Sequence, residues 1–376
     1  MMVFRLTMLP ASDGDCLLLS WGKDDSLHHM VVDGGRSGAY PALFAQLENI
    51  VQRGEKLDLY VLTHIDSDHI SGALSYLRDS RRPIVPNCVW FNGYHQIKQD
   101  GLRSMKQADE YSQLLDQLRW PLNVQFESGV ISIETAPDEI NIAGLKIRIV
   151  SPTTDGLCAL GDRWDKWRTP IHEQPQELQE LRSGTREKPP IPDPLIVEEM
   201  IADGAIDTEV PNGSSIAFVA EWEGIRVLLA GDAHPDVLTN ALAPFGARED
   251  GRFRIDLMKA SHHGSAKNTS RELIKALNCR RLAISTNGNI HGHPDPASIA
   301  RFLHFGISGK KTIYFNYATP NTTPWGAQAP QEKYDYTAIF PNKNQDGTLE
   351  IDLLSSIETL ENDVTRATHC RENTEI

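Results

Sequence analysis

The stretch Leu57-Asp-Leu-Tyr-Val-Leu-Thr-His64-Ile-Asp66-Ser-Asp68-His69-Ile-Ser-Gly72 decides how the chain is read. Its first part, Leu57 to Leu62, is a short apolar run of the kind that forms a buried strand. The run ends abruptly in two histidines and two aspartates within six residues. Gly72 and Ala73 then lead into Leu74 and Leu77, an apolar spacing that predicts a helix. The four polar side chains therefore sit on one strand-to-helix loop, where proteins of this class place their chemistry. Imidazole nitrogen mixed with carboxylate oxygen suits zinc, manganese or iron better than calcium or magnesium.

Four further segments share that character. Met30-Val-Val-Asp33-Gly34-Gly35 is an apolar strand ending in Asp-Gly-Gly. Ile225 to Leu229 is another, followed by Ala230-Gly231-Asp232-Ala233. Ile255 to Ala260 runs into Ser261-His262-His263-Gly264-Ser265, and Arg281 to Thr286 precedes a loop holding His291-Gly292-His293-Pro294. Taken in order, these segments resemble the metallo-β-lactamase superfamily, in which the long motif is usually His-x-His-x-Asp-His. Asp66 stands here in place of the middle histidine. That variant, with His-His-Gly-Ser and Gly-His-Pro, is similar to the branch containing the soluble hydrolase-like domain of the bacterial DNA-uptake (competence) channel protein.

The resemblance implies an α/β fold, an αββα sandwich of two mixed β-sheets flanked by helices, with the site along one edge. It implies two divalent metal ions, zinc or manganese. His64, Asp66 and Asp232 would hold the first. Asp68, His69, Asp232 and one histidine of the His262/His263 pair would hold the second, with His263 favoured as the ligand and His262 as acid or substrate contact. Many relatives carry a third-motif histidine before the Gly-Asp motif; here Asn212-Gly-Ser-Ser215 occupies its place. Asp68, His262 and His293 are the expected catalytic residues, and Ser265 and Asn212 the expected substrate contacts. Asp66 adds hard oxygen character and shifts preference towards manganese. The implied reaction is hydrolysis of a phosphodiester, as in a nuclease or nucleotide phosphodiesterase. A hydrolase of another ester class (lactone, thioester or β-lactam) and a non-enzymatic, metal-containing partner protein of a multi-protein system are the alternatives.

Composition narrows the setting. The chain has 376 residues and a formal net charge of -14, which argues against a surface that coats nucleic acid non-specifically. The five cysteines show no C-x-x-C spacing, so neither a zinc ribbon nor a disulfide framework is expected. No basic leader and no long apolar segment stands out, and a cytoplasmic protein without a membrane span is the expectation.

The remaining pattern predicts a helix over Tyr40 to Gln52, with Pro41 in its first turn, and strands over Val3 to Leu9, Gln125 to Ile133 and Glu139 to Val150. His28 and His29 read as surface residues. Arg78, Arg81 and Arg82 read as a solvated helix end. Thr269-Ser-Arg-Glu272 reads as a capping box, and Asp295 as the cap of a helix starting at Pro296. Residues 1–358 read as one domain carrying a proline-rich insertion at about 152–211, with Trp164 and Trp167 as anchors and His172 as a weak site candidate. The polar tail is expected over 359–376.

Overall fold

The computed structural model describes residues 1–93, 97, 106–168, 191–246, 251–342 and 347–355. Tyr94, His95, His172, Cys370, the Trp167 side chain and the 359–376 tail lie outside them.

Two sheets carry the fold. The first contains β1 (Met2–Met8), β2 (Leu17–Lys23), β3 (Ser26–Val32), β4 (Lys56–Val61), β5 (Val89–Trp90) and the late strand β16 (Leu349–Asp352), in the order β16-β1-β2-β3-β4-β5. β1 to β3 pair antiparallel, whereas β3, β4 and β5 run parallel. The second sheet contains β6 (Ile140–Ile142), β7 (Leu145–Ser151), β8 (Ala217–Trp222), β9 (Ile225–Leu229), β11 (Leu257–Lys259), β13 (Arg281–Ile284), β14 (Lys311–Phe315) and β15 (Tyr336–Ile339). Its order is β15-β14-β13-β11-β9-β8-β7-β6, parallel from β9 through β15 and antiparallel from β6 to β9. A small pair, β10 (Phe253–Arg254) with β12 (Leu277–Asn278), lies apart.

Strands buried on both faces carry nearly continuous apolar runs, and the last three residues of β9, β13 and β14 (Val-Leu-Leu, Leu-Ala-Ile and Ile-Tyr-Phe) form such runs here. Three cores result. One lies between the sheets and joins Phe4, Leu6, Met30 and Val61 to Ile147, Phe218 and Val227. A second joins the outer face of the first sheet to Leu43, Leu47 and Ile50 of the helix Tyr40–Gln52. The third joins the outer face of the second sheet to Leu238, Leu273, Ile299 and Phe302. The layering is the αββα sandwich of mixed sheets expected from the sequence. Trp164, from the helix Thr154–Arg168, is fully buried in the helix layer over the first sheet, so part of the proline-rich stretch is helical and packed.

Several local expectations differ. Gln125 to Ile133 alternates like a strand but forms turns. Two buried amides take over its backbone partners: Asn123 bonds Phe91 N, Phe91 O and Gly129 O, and Asn92 bonds Ile131 N and O. His29 is buried between Ser20 Oγ and Glu55 Oε2, at 2.9 Å from each. The helix Arg271–Ala276 is capped by Ser270, whose hydroxyl accepts from Leu273 N, while Thr269 Oγ1 pairs with Ser298 Oγ. Asp295 precedes the helix Pro296–Phe305 but accepts from Ala266 N across the loop instead of capping. Arg78 and Arg81 stand exposed at the helix end, as expected, with Arg78 paired to Glu110 and Arg81 to Asp79, while Arg82 donates to the carbonyls of Leu77 and Asp79.

Candidate metal centre

The C-terminal ends of β3, β4, β9, β11 and β13 meet at one edge of the sandwich, which follows from their shared direction in two facing sheets. β4 delivers Thr63 and His64, and the helix Ser67–Arg78 starts immediately behind Asp66. Asp68 and His69 lie in that helix's first turn, with their backbones pinned from outside. Gly34 N donates to His69 O at 2.9 Å. The Asp68 carbonyl lies against Gly14, where a Cβ would come within 1.7 Å of its oxygen.

Asp33 braces this loop. It takes a left-handed backbone (φ 61) at the end of β3 and is fully buried. Its Oδ1 accepts from Thr63 N at 2.7 Å and its Oδ2 from Thr63 Oγ1 at 2.8 Å. The same Oδ2 accepts from His69 Nδ1 at 2.8 Å. Because the Thr63 hydroxyl hydrogen is committed to Asp33, the 2.9 Å contact between Thr63 Oγ1 and His64 Nδ1 is donated by the imidazole. His263 Nδ1 donates to Ser285 O at 3.0 Å, and His262 Nδ1 lies 3.2 Å from Asn268 Oδ1.

Four histidines thus spend Nδ1 on the protein and turn Nε2 towards one carboxylate, Asp232. His64 and His262 approach its Oδ2 at 3.6 and 3.8 Å. His69 and His263 approach its Oδ1 at 3.5 and 3.8 Å. Asp68 Oδ2 lies 3.3 Å from His263 Nε2, and Asp66 Oδ2 3.8 Å from His64 Nε2. His69 Nε2 and His263 Nε2 face each other at 3.2 Å.

This donor set fits cations. Its atoms close into compact groups: His64, His69 and Asp232 within 4.8 Å of one another, and likewise Asp68, His69 and His263. His64 Nε2 and Asp232 Oδ1 are buried and have no hydrogen-bond partner on the protein, a costly arrangement unless something else satisfies them. The field has the matching sign. Burial opposes charge on His263, yet Asp232 and then Asp15 push its imidazole up to about 9. Burial likewise opposes charge on His69, and Asp232, Asp33 and Asp68 together raise it well above the usual range. Asp232 is held well below the carboxylate range by the ring of histidines, against the pull of burial. The box favours positive charge, which a divalent ion supplies.

Ser265 and His293 sit beside this box. Ser265 is buried and its hydroxyl accepts from Lys267 N at 3.3 Å. The His293 ring lies 5.2 Å from that of His262, with His291 at 6.0 Å from His293. Asn212 is buried and donates to Asp207 Oδ2 at 2.7 Å, with the same nitrogen 3.2 Å from His262 Nδ1.

Sequence reading missed three residues here. Asp15 is buried 3.5 Å from His263 Nδ1 and forms a 2.7 Å ion pair with Lys259, itself fully buried. Asp207, within the proline-rich stretch, lies 3.5 Å from His262 Nδ1 and is buried. Asp13-Gly14-Asp15 carries only the signal of a turn and Lys259 sits in an apolar strand; the paired sheets bring them together at the edge.

Residues 14–107 match the model of the metallo-beta-lactamase superfamily. The chain has the metallo-beta-lactamase fold. Similar solved structures include the metallo-beta-lactamase fold protein YhfI from Bacillus subtilis, at 10% identity over 93% of this chain and 100% of that one, with a TM-score of 0.38. Zn(2+)-bound PqqB from Methylobacterium extorquens aligns at 10% identity over the same shares, with a TM-score of 0.40. The short form of human tRNase Z aligns at 9% identity over 93% of this chain and 100% of that one, with a TM-score of 0.37. No curated protein matches the chain. Among the described residues no helix is long and apolar enough to cross a membrane.

Proposed function

We propose that this protein is a metal-dependent phosphodiesterase or nuclease of the cytoplasm, acting on nucleic acid or a nucleotide, with zinc or manganese in the box around Asp232. The observation that carries the reading is Asp232 itself: one buried carboxylate met by four imidazole nitrogens, two on each oxygen. His64, Asp66 and Asp232 would hold one cation, and Asp68, His69, His263 and Asp232 the other. Such ions supply Lewis acidity, polarising an ester oxygen and making water available as hydroxide at neutral pH.

The chain's own residues do the rest. Asp33, Thr63 and Ser285 fix the tautomers of three histidines, keeping each Nε2 aimed inward. His293 is the proton donor to the leaving oxygen, because its ring stands beside the box and outside the ligand groups. Ser265 orients the substrate. The phosphodiester class is supported by Asp66, which makes the site harder and more negative, and by the likeness of His262-His263-Gly264-Ser265 and Gly292-His293-Pro294 to the DNA-uptake channel's hydrolase-like domain.

The test is hydrolysis of bis(p-nitrophenyl) phosphate by chelator-treated protein, with Mn²⁺ or Zn²⁺ restored and Asp68→Ala as control. Metal-dependent turnover absent from a folded Asp68→Ala protein is expected. Turnover of lactone or thioester substrates alone moves the protein to another ester class. No turnover with any ester, in protein that binds both ions, moves it to the metal-containing partner reading.

A further inference from the structure

We infer that His262 is a ligand of the first cation, taking the position that the missing third-motif histidine leaves open. The inference rests on the two-cation reading above and concerns how the first ion is held.

The geometry divides the neighbouring histidines between the two oxygens of Asp232. His262 Nε2 lies 3.8 Å from Oδ2, the oxygen that also faces His64 at 3.6 Å. His263 Nε2 lies 3.8 Å from Oδ1, the oxygen that faces His69 at 3.5 Å. Consecutive residues on a strand or helix do not converge on one carboxylate in this way. Here the backbone achieves it at a conformational cost, since His262 (φ 47) and His263 (φ 55) both adopt the left-handed region. Such strain persists only where the surroundings enforce it. The resulting rings stand at 80° to each other with centroids 6.0 Å apart.

The outer partners of His262 are those of a ligand. A metal-bound imidazole directs its other nitrogen to a carboxylate or carbonyl, and His262 Nδ1 meets Asn268 Oδ1 at 3.2 Å and Asp207 Oδ2 at 3.5 Å. Asp207 is itself fixed by Asn212 at 2.7 Å and Asn268 at 2.8 Å. Asn268 also donates to the carbonyl of Asp232 at 3.2 Å. This buried cradle serves His262 as Asp33 serves His69. In this arrangement Asn212 and Asp207 are positioning residues that act through His262, and the proton-donor role passes to His293.

Mn²⁺ titration of the chelator-treated full-length chain by calorimetry tests this, with thermal unfolding as the check on folding. His262→Asn keeps a residue suited to left-handed backbone. Wild type should bind two ions. The His262→Asn protein should keep one site within about threefold and weaken the other by more than the roughly 10–100-fold loss typical of an outer-shell partner. Asp207→Asn should weaken that same site by about 10–100-fold and leave its neighbour unchanged; it serves alone if His262→Asn does not fold. Two sites of wild-type affinity in both folded variants would overturn the inference while leaving the two-cation reading intact. No Mn²⁺ uptake by wild type would overturn both.

Discussion

On the Oδ1 side of Asp232 stand His69, His263 and Asp68, and both imidazoles are completely buried. On the Oδ2 side stand His64, Asp66 and His262; the Asp66 side chain is 41% exposed and that of His262 23%. The closed side is braced by Asp33, Asp15 and the Ser285 carbonyl and pressed from behind by Gly14. The open side borrows its support from Asp207, far along the chain. One carboxylate thus joins a rigid cage to a face that solvent reaches. The cage is suited to retaining an ion, and the open face to exchanging water for substrate.

The largest effect should come from removing the carboxylate that the two sides share. Asp232→Ala should lower kcat/KM on bis(p-nitrophenyl) phosphate by more than about 100-fold, beyond the 10–100-fold typical of losing one outer-shell partner. Retained activity would show that the two sides work independently. Next in size is Asp33→Ala, which frees His69 and leaves Thr63 N without its acceptor. Metal affinity on the closed side should fall about 10–100-fold, and urea unfolding should show a loss of about 1–3 kcal/mol from the unsatisfied buried group. The open side, which depends on Asp33 only through the Thr63 hydroxyl that accepts from His64, should weaken less; a greater loss there than on the closed side would contradict the division.

Gly14→Ala probes the closed side through the backbone. Its new methyl would meet the Asp68 carbonyl oxygen at 1.7 Å, so something must shift. A loss of about 1–3 kcal/mol is expected, seen as a lower Tm together with weaker closed-side metal binding. An unchanged Tm would mean that this contact is slack. The smallest effect is the control. Ser270→Ala removes the cap of the helix Arg271–Ala276 and should cost about 1 kcal/mol, with metal affinity untouched on either side.

Much of the centre was legible from sequence because four of its donors, His64, Asp66, Asp68 and His69, sit within six residues on one strand-to-helix loop, where apolar run, loop and helix are local signals. The architecture beyond it was legible only as fold class, through the αββα resemblance. What escaped reading was support delivered across the sheets. Asp15 and Lys259 are separated by most of the chain, and neither spacing nor charge marks them. Asp207 was hidden in a proline-rich stretch whose lack of periodicity concealed its packing. Gln125 to Ile133 misled for the opposite reason: its alternation is real, but Asn92 and Asn123 satisfy its backbone with side-chain amides, so no ladder forms. The His262-His263 pair was visible, yet its division between two oxygens depends on left-handed backbone that the residue types do not announce.

The most direct test of the centre is the metal content of the purified chain after incubation with Mn²⁺ or Zn²⁺ and removal of free ion, measured by plasma mass spectrometry alongside Asp232→Ala. About two ions per wild-type chain are expected, with near-complete loss in the variant. A wild-type chain that retains neither metal, or a variant that retains as much as wild type, would contradict it.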